Sequence, residues 1–128
     1  MFRNAFIVLI VSAFLTSCVS TSQIRAENRQ KLLRLSAGMS KQEVLGVMGT
    51  STITAGDGTV VTNPYRTEMY RSNGHVFELL LYYTDIQKSD GAITDDELTP
   101  LVVMNDKLDG WGWSYWNDIV KKYEIRVR

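Results

Sequence analysis

The sequence predicts an α+β fold, with two short N-terminal helices packed on one face of an antiparallel β-sheet meander of three or more strands. A capped, amphipathic helix pattern lies in the first half of the chain, and an Asn-Gly turn between two strand-like segments follows it. Helices followed by a run of strands is an order typical of α+β proteins. With 128 residues, the chain has room for one domain, which we place at residues 24–128.

The first 17 residues have the pattern of a secretory signal peptide. Arg3 precedes the apolar run Ala5 to Leu15, which is too short to span a bilayer, since spanning needs about 20 apolar residues. The run ends in Leu15-Thr16-Ser17-Cys18, which resembles the lipobox of bacterial lipoproteins. That resemblance implies cleavage before Cys18 and acylation, for example by palmitate, of its thiol and its new amine. We therefore expect Cys18 to be the lipid attachment site.

Two further observations agree with an anchor at this position. Cys18 is the only cysteine, so a disulfide within the chain is excluded, and a free thiol would be a liability in an exported protein. Val19 follows it, whereas an Asp there commonly retains lipoproteins of two-membrane bacteria in the inner membrane. The resemblance therefore implies the periplasmic face of the outer membrane, with residues 18–23 as the lipidated tether.

Two helices are predicted after the tether, the first over about Ile24 to Leu35. The second has the stronger signals, because Ser40 is a good N-cap and Glu43 lies three residues later, which predicts a capping box. Met39 and Val44 have the spacing of the hydrophobic staple that accompanies such a box. The sequence therefore predicts a short helix from about residue 41.

The hairpin is predicted from Asn73-Gly74, the strongest short turn signal in the chain, which pairs Tyr70 with Phe77. The returning strand, Val76 to Thr84, is apolar on both faces and is therefore expected to be central. The other predicted elements are a weak strand at Thr50–Thr54 within a mobile loop to Pro64, strands from Leu98 and over Lys107–Trp113, a short helix at Ser114–Lys122 and a final strand from Tyr123.

The second predicted helix carries a motif, Gly38-Met39-Ser40-x-x-Glu43-Val44-x-x-x-Met48-Gly49, that resembles the signature of the SmpA/OmlA (BamE-like) outer-membrane lipoproteins. The resemblance implies two short helices on a three-stranded antiparallel sheet and a role beside the β-barrel assembly machine. Thr50-Ser51 stands where that family usually has proline. From Asn63 onward, the chain resembles more closely a branch of bacterial lipoproteins without an assigned function, so no partner-binding residues are transferred from the assembly subunit.

The three tryptophans fall within one short segment, Gly110 to Trp116. On a strand, Trp111, Trp113 and Tyr115 would point to one face and the glycines to the other. We take Trp111, Trp113, Tyr115 and Trp116 as candidate partner-binding residues, because Trp and Tyr anchor interfaces. The alternative is that these aromatic side chains close the core beneath the helices. In either case, we expect at least one tryptophan side chain to be partly exposed.

Metal binding and catalysis find little support in the sequence. The acidic loop from Asp85 to Glu97 matches only the second half of a calcium-binding EF-hand loop, since Ile86 and Lys88 stand where ligands are needed, and a solvated loop is favoured. The only histidine, His75, lies beside the predicted turn, and no nucleophile or phosphate-loop motif is present. The sequence therefore predicts no catalytic residue, no metal, no cofactor and no enzyme activity.

The charge balance narrows the partner class. Lys and Arg total 14, and Asp and Glu also total 14, so no nucleic-acid partner is expected. We expect a lipid-anchored, periplasm-facing module that binds an envelope protein, as an accessory to outer-membrane or envelope protein assembly. The alternative is a small periplasmic inhibitor or sensor module that binds a soluble enzyme or ligand, since a similar helix-on-sheet layout occurs in β-lactamase inhibitory proteins.

Overall fold

The computed structural model describes residues 18–127, so the predicted signal peptide at residues 1–17 lies outside the described residues. The helices are α1 (Thr21–Leu32), α2 (Lys41–Met48) and α3 (Trp113–Lys122). The strands are β1 (Thr52–Thr54), β2 (Val60–Thr62), β3 (Arg66–Ser72), β4 (His75–Tyr83), β5 (Leu98–Met104) and β6 (Lys107–Trp111), and a 3₁₀ turn at Asp95–Glu97 precedes β5.

The main sheet is an antiparallel meander in the order β3-β4-β5-β6, while β1 and β2 pair separately. The hairpin predicted from Asn73-Gly74 is confirmed, since Tyr70 lies opposite Phe77 in the register. Asn73 and Gly74 have φ angles of 50° and 77°. Two positive φ angles in a two-residue loop match the twist of the flanking strands, which explains why this dipeptide sets the register.

Both faces of the sheet are covered, and each has its own core. On one face, Leu79 and Leu81 of β4 pack with α3, and on the other, Leu80 and Tyr82 pack with α2. The predicted α+β class is therefore confirmed, but the helices do not all lie on one face. The reason is that β4 and β5 are apolar at both odd and even positions, so cover on one face alone would leave the second exposed to water.

Helix α1 lies across the end of the sheet and joins the two cores. Ile24 packs in the cluster beneath α3, whereas Leu32 packs against the cluster beneath α2. Between them, the buried Asn28 donates a hydrogen bond from Nδ2 to the carbonyl oxygen of Tyr83, at 2.8 Å. The end of β4 is thereby covered by a helix, which explains how a nine-residue strand can have five successive buried residues at its C-terminal end.

Helix α2 forms at the predicted place with Ser40 as its N-cap, but only one half of the predicted capping box is present, since Glu43 Oε1 accepts from Ser40 Oγ at 3.2 Å. Ser40 Oγ accepts a hydrogen bond from the backbone N–H of Glu43 at 3.1 Å, and Met39 and Val44 pack in the same cluster. The segment before it also pairs with β6, since the backbone N–H of Leu108 donates to the carbonyl oxygen of Met39 at 2.8 Å. This pairing covers part of the β6 edge of the sheet.

Three local predictions differ from the structure. Helix α1 begins at Thr21, inside the predicted tether, because Ser20 caps it in a reciprocal capping box with Gln23. The segment predicted as a mobile loop contains β2, which pairs with β1. The predicted final strand is absent from the described residues up to Val127, and Ile125 there packs into the core.

The raised pKa values of two tyrosines predict a loss of stability at alkaline pH. Burial raises the pKa of Tyr82 to about 12, and burial together with a hydrogen bond to Asp109 raises the pKa of Tyr115 to about 12. Both side chains ionise near pH 10 once the chain is unfolded. The free energy of unfolding should therefore decrease as pH rises from about 10 towards 12.

The measurement is a tyrosinate absorbance titration of the folded protein. Tyr82→Phe and Tyr115→Phe should each remove one of the late-ionising groups, and Tyr65→Phe serves as the control with a partly exposed ring. Loss of an ionisation near pH 10 in either of the first two variants would contradict the prediction.

Candidate functional site

The predicted anchor residue, Cys18, is exposed and lies against the turn between β1 and β2. The carbonyl oxygen of Val19 accepts a hydrogen bond from the backbone N–H of Gly56 at 2.9 Å. A Cβ atom built on Gly56 would lie 3.1 Å from Cys18 Cβ, so this close approach favours glycine. Because α1 starts at Thr21, only a few residues separate Cys18 from the folded domain.

The strand predicted over Lys107–Trp113 ends two residues early, and the helix predicted at Ser114–Lys122 is present and begins one residue earlier. Strand β6 ends at Trp111 and α3 begins at Trp113, so these side chains do not share one face of a sheet. Trp116 is 2% exposed, with its ring centroid 5.4 Å from that of Tyr70 and 6.3 Å from that of Phe77. Trp111 is 37% exposed, which confirms that one tryptophan is partly exposed.

The other two aromatic candidates are held by hydrogen bonds. Trp113 Nε1 donates to the carbonyl oxygen of Leu98 at 2.9 Å, which fixes the plane of the indole. The Tyr115 hydroxyl donates to a carboxylate oxygen of Asp109, and its ring lies over Gly110, where a Cβ atom would come within 2.6 Å of Cζ. The ring of Tyr115 therefore occupies the space beside Gly110 that a larger side chain would fill.

Trp113 lies in a cleft at the end of the sheet, which we call the sheet-end cleft. The cleft has a volume of about 640 Å³ and is formed by α1, the start of α3, the segment after β4 and the segment that leads into β5. It is lined by Ser22, Arg25, Arg29, Leu32, Thr84, Asp85, Ile86, Asp96, Leu98, Thr99 and Trp113. Two cations, an aromatic ring and aliphatic side chains meet in this concavity.

Two arginines of α1 extend over the end of β4. Arg25 donates from Nη1 to the hydroxyl of Tyr83 at 2.8 Å, and its guanidinium carbon lies 5.3 Å from the centre of that ring. Arg29 donates to the carbonyl oxygen of Thr84. Arg25 is only 9% exposed, while Arg29 is exposed. Both guanidiniums are therefore positioned by neutral acceptors.

The two aspartates that line the cleft are held by hydrogen bonds within their own loops. Asp85 accepts hydrogen bonds from the backbone N–H of Ile86 at 2.8 Å and from the side chain of Gln87. Asp96 accepts from the hydroxyl of Thr94. Within residues 18–127, ion pairs join Lys41 to Glu78, and Arg66 to Glu68 and Asp95. Among these residues, therefore, no carboxylate lies within 4.0 Å of Arg25 or Arg29.

Glu97 has a structural role in the acidic loop. It is 1% exposed, and its two carboxylate oxygens accept the backbone N–H groups of Thr94 at 3.0 Å and Gln87 at 2.9 Å. These hydrogen bonds hold the pKa of Glu97 below its usual value. The arrangement closes the loop in front of β5, and no group of three or more His, Cys, Asp or Glu within the described residues is placed to hold a metal ion.

The remaining site predictions are placed as follows. His75 lies beside the hairpin turn, where Nδ1 is 2.9 Å from Nδ2 of Asn105 and the ring packs edge-on against Tyr123. Across residues 18–127, no helix is long and apolar enough to cross a membrane. Sequence reasoning missed Arg25 and Arg29 as candidate site residues. Their spacing of four residues was the available signal, since it places two side chains on one helix face.

Comparison with known proteins identifies a family and nothing narrower. The family model described as "Protein of unknown function (DUF3192)" matches residues 7–118. No curated protein and no solved structure matches the chain. The description of the matching model does not mention the SmpA/OmlA lipoproteins, so that resemblance stays a prediction.

Proposed function

The chain belongs to the DUF3192 family, and for this member we propose the role of a lipid-anchored protein-binding module on the periplasmic face of the outer membrane. In this proposal, Cys18 is acylated and the domain binds an envelope protein, as an accessory to outer-membrane or envelope protein assembly of the SmpA/OmlA type. No enzyme activity, cofactor or nucleic-acid partner is part of the role.

The observation that carries the proposal is the position of Cys18 on the folded domain. The side chain is exposed and therefore accessible for acylation, while the backbone of the next residue is hydrogen-bonded to Gly56. Two or more acyl chains anchor a protein stably, because each buried methylene contributes about 0.8 kcal/mol. With α1 starting at Thr21, the lipid would attach almost directly to the domain and hold it close to the membrane surface.

The partner surface that we favour includes Trp111 and the sheet-end cleft. Trp111 is 37% exposed on the edge strand β6, and exposed tryptophans are enriched among residues that dominate binding energy. Trp113 lines the cleft. Trp116 packs in the core and offers no surface of its own, although it belonged to the candidate set.

The alternative function is a periplasmic inhibitor or sensor module that binds a soluble enzyme or a small ligand. The sheet-end cleft favours it, because two guanidiniums and the indole of Trp113 line a concavity of about 640 Å³ there. The two functions differ in the partner, which is an integral membrane complex in the first and a soluble protein or small molecule in the second.

The experiment is in-cell crosslinking and pull-down of the full lipidated protein, with Trp111→Ala, Cys18→Ser and Asp118→Asn in parallel. We expect barrel-assembly or other envelope components to be recovered with the wild type and Asp118→Asn, and to be lost with Trp111→Ala. Asp118 is an exposed residue of α3 and serves as the matched surface control.

Cys18→Ser should move the protein from the membrane fraction to the soluble fraction. Recovery of a soluble enzyme instead would favour the inhibitor, and Cys18→Ser remaining membrane-bound would contradict the anchor.

A further inference from the structure

We propose that the sheet-end cleft binds a carboxylate attached to an apolar group, with Arg25 and Arg29 holding the carboxylate and the wall around Trp113 holding the apolar part. The carboxylate belongs either to the C-terminal residue of a peptide or to a small organic acid, which share this chemistry. The inference names the ligand class of the binding role proposed above, and its binding test does not depend on the membrane anchor.

The first support is the placement of the two guanidiniums. Arg25 and Arg29 are four residues apart on α1, a spacing that brings side chains together on one face of a helix. Each is attached to the end of β4 by one hydrogen bond, to the hydroxyl of Tyr83 and to the carbonyl oxygen of Thr84. Their positions are therefore set before any ligand arrives, which reduces the entropy lost on binding.

The second support is the unused capacity of these groups. A guanidinium carries five N–H donors, and each of the two arginines uses one within the described residues. Arg25 is 9% exposed, yet none of its nitrogens is both fully buried and without a partner, so its remaining donors stay accessible. An anion in the cleft would accept hydrogen bonds from several of the remaining donors.

The third support is the apolar wall. The indole of Trp113 is fixed by its hydrogen bond to the carbonyl oxygen of Leu98, so its ring keeps one orientation. Leu32 and Ile86 also line the cleft, and Ile86 is 43% exposed. A ligand with an aliphatic group beside its anionic end would remove this apolar surface from water, which is favourable.

Local charge favours a monoanion over phosphate. The cleft is lined by two arginines and also by Asp85 and Asp96, so its formal charges balance. One added negative charge next to the guanidiniums is stabilised by them, whereas a second charge on the same ligand is opposed by the two nearby aspartates. The planar guanidinium fork also matches the geometry of a carboxylate.

The test uses the full lipidated chain in a neutral detergent, with calorimetry and tryptophan fluorescence as readouts. The probes are N-acetyl-leucine, its uncharged amide, inorganic phosphate, and a tetrapeptide ending in leucine with a free or an amidated C-terminus. We expect the two free carboxylates to bind at least about tenfold more tightly than their amides, because a hydrogen bond to a charged group is lost in the amide. Tighter binding of the free tetrapeptide than of N-acetyl-leucine would assign the ligand to a peptide end, and equal binding to a small acid.

The variants are Arg29→Gln in the cleft and Arg34→Gln outside it. Both residues are exposed and both variants remove one positive charge, so long-range electrostatics change equally while only Arg29 lines the cleft. Arg29→Gln should weaken carboxylate binding about tenfold or more, and Arg34→Gln should leave it unchanged. Equal affinity for acids and amides, binding of phosphate alone, or equal effects of the two variants would overturn the proposal. Failure of the pull-down with intact carboxylate binding would count against the assembly role alone.

Discussion

Replacing Trp116 with alanine should lower the free energy of unfolding by about 3–5 kcal/mol, the cost typical of removing a large buried aromatic side chain. Trp116 is 2% exposed and packs in the cluster that α3 forms with β4 and β5. Its ring lies beside the rings of Tyr70 and Phe77, so truncation would leave a cavity between these side chains. The measurement is urea unfolding followed by circular dichroism.

Trp111→Ala is the matched control, because it removes the same side chain at a position that is 37% exposed. We expect a clearly smaller loss than for Trp116→Ala, since 37% of the Trp111 surface is already in water. Similar losses in the two variants would show that the division between core and surface tryptophans is wrong. A large loss for Trp116→Ala alone would also show that this variant cannot be used to test partner binding. Such a protein would lose binding because it unfolds.

The second large effect is expected from Glu97→Gln, at about 2–3 kcal/mol. Both carboxylate oxygens of Glu97 accept backbone N–H groups, from Thr94 and from Gln87. An amide has one oxygen and one NH₂ group, so one of these N–H groups would face another donor. Hydrogen bonds to charged acceptors contribute about 1.5–3 kcal/mol each, and Glu97 is buried where water cannot easily replace them.

The same residue predicts a pH dependence whose sign can be worked out. The folded pKa of Glu97 lies below its usual value of about 4.5 because of the backbone N–H groups. Its contribution to stability is therefore complete above pH 4.5 and is lost as pH falls through the folded pKa. Urea unfolding between pH 3 and 7 should show a shallower acid loss in Glu97→Gln than in the wild type. Asp118→Asn is the control for the change in net charge, because Asp118 is exposed and the substitution removes the same charge. Equal profiles for Glu97→Gln and the wild type would contradict the assignment.

Glu97 has a structural role at the position where the half-matched calcium motif would place its last ligand. Its position in the sequence matches the last ligand of an EF-hand loop, yet both of its oxygens are occupied by backbone donors of the same loop. The pattern of acids and glycine is therefore equally compatible with a turn that closes on itself. The sequence shows that acidic side chains are present in this loop, whereas their hydrogen-bond partners are visible only in the structure.

Local signals determined the parts of the fold that depend on neighbours in the chain. The register at Asn73-Gly74 follows from two positive φ angles, and α2 follows from the Ser40 cap, so both were predictable from the sequence. The apolar character of β4 on both faces also predicted a central strand. Each of these depends on interactions within a few residues or on the alternation of side chains along one strand.

Only the tertiary structure decided what each face and each charge meets. The sequence could not show that α3 covers the face opposite α2, or that Trp116 enters the core while Trp111 stays at the edge. It also gave no sign that Arg25 would be buried against Tyr83, because those residues are 58 positions apart. The physical reason is that an amphipathic pattern specifies that a surface must be covered, whereas the partner that covers it is chosen by long-range packing among all the elements at once.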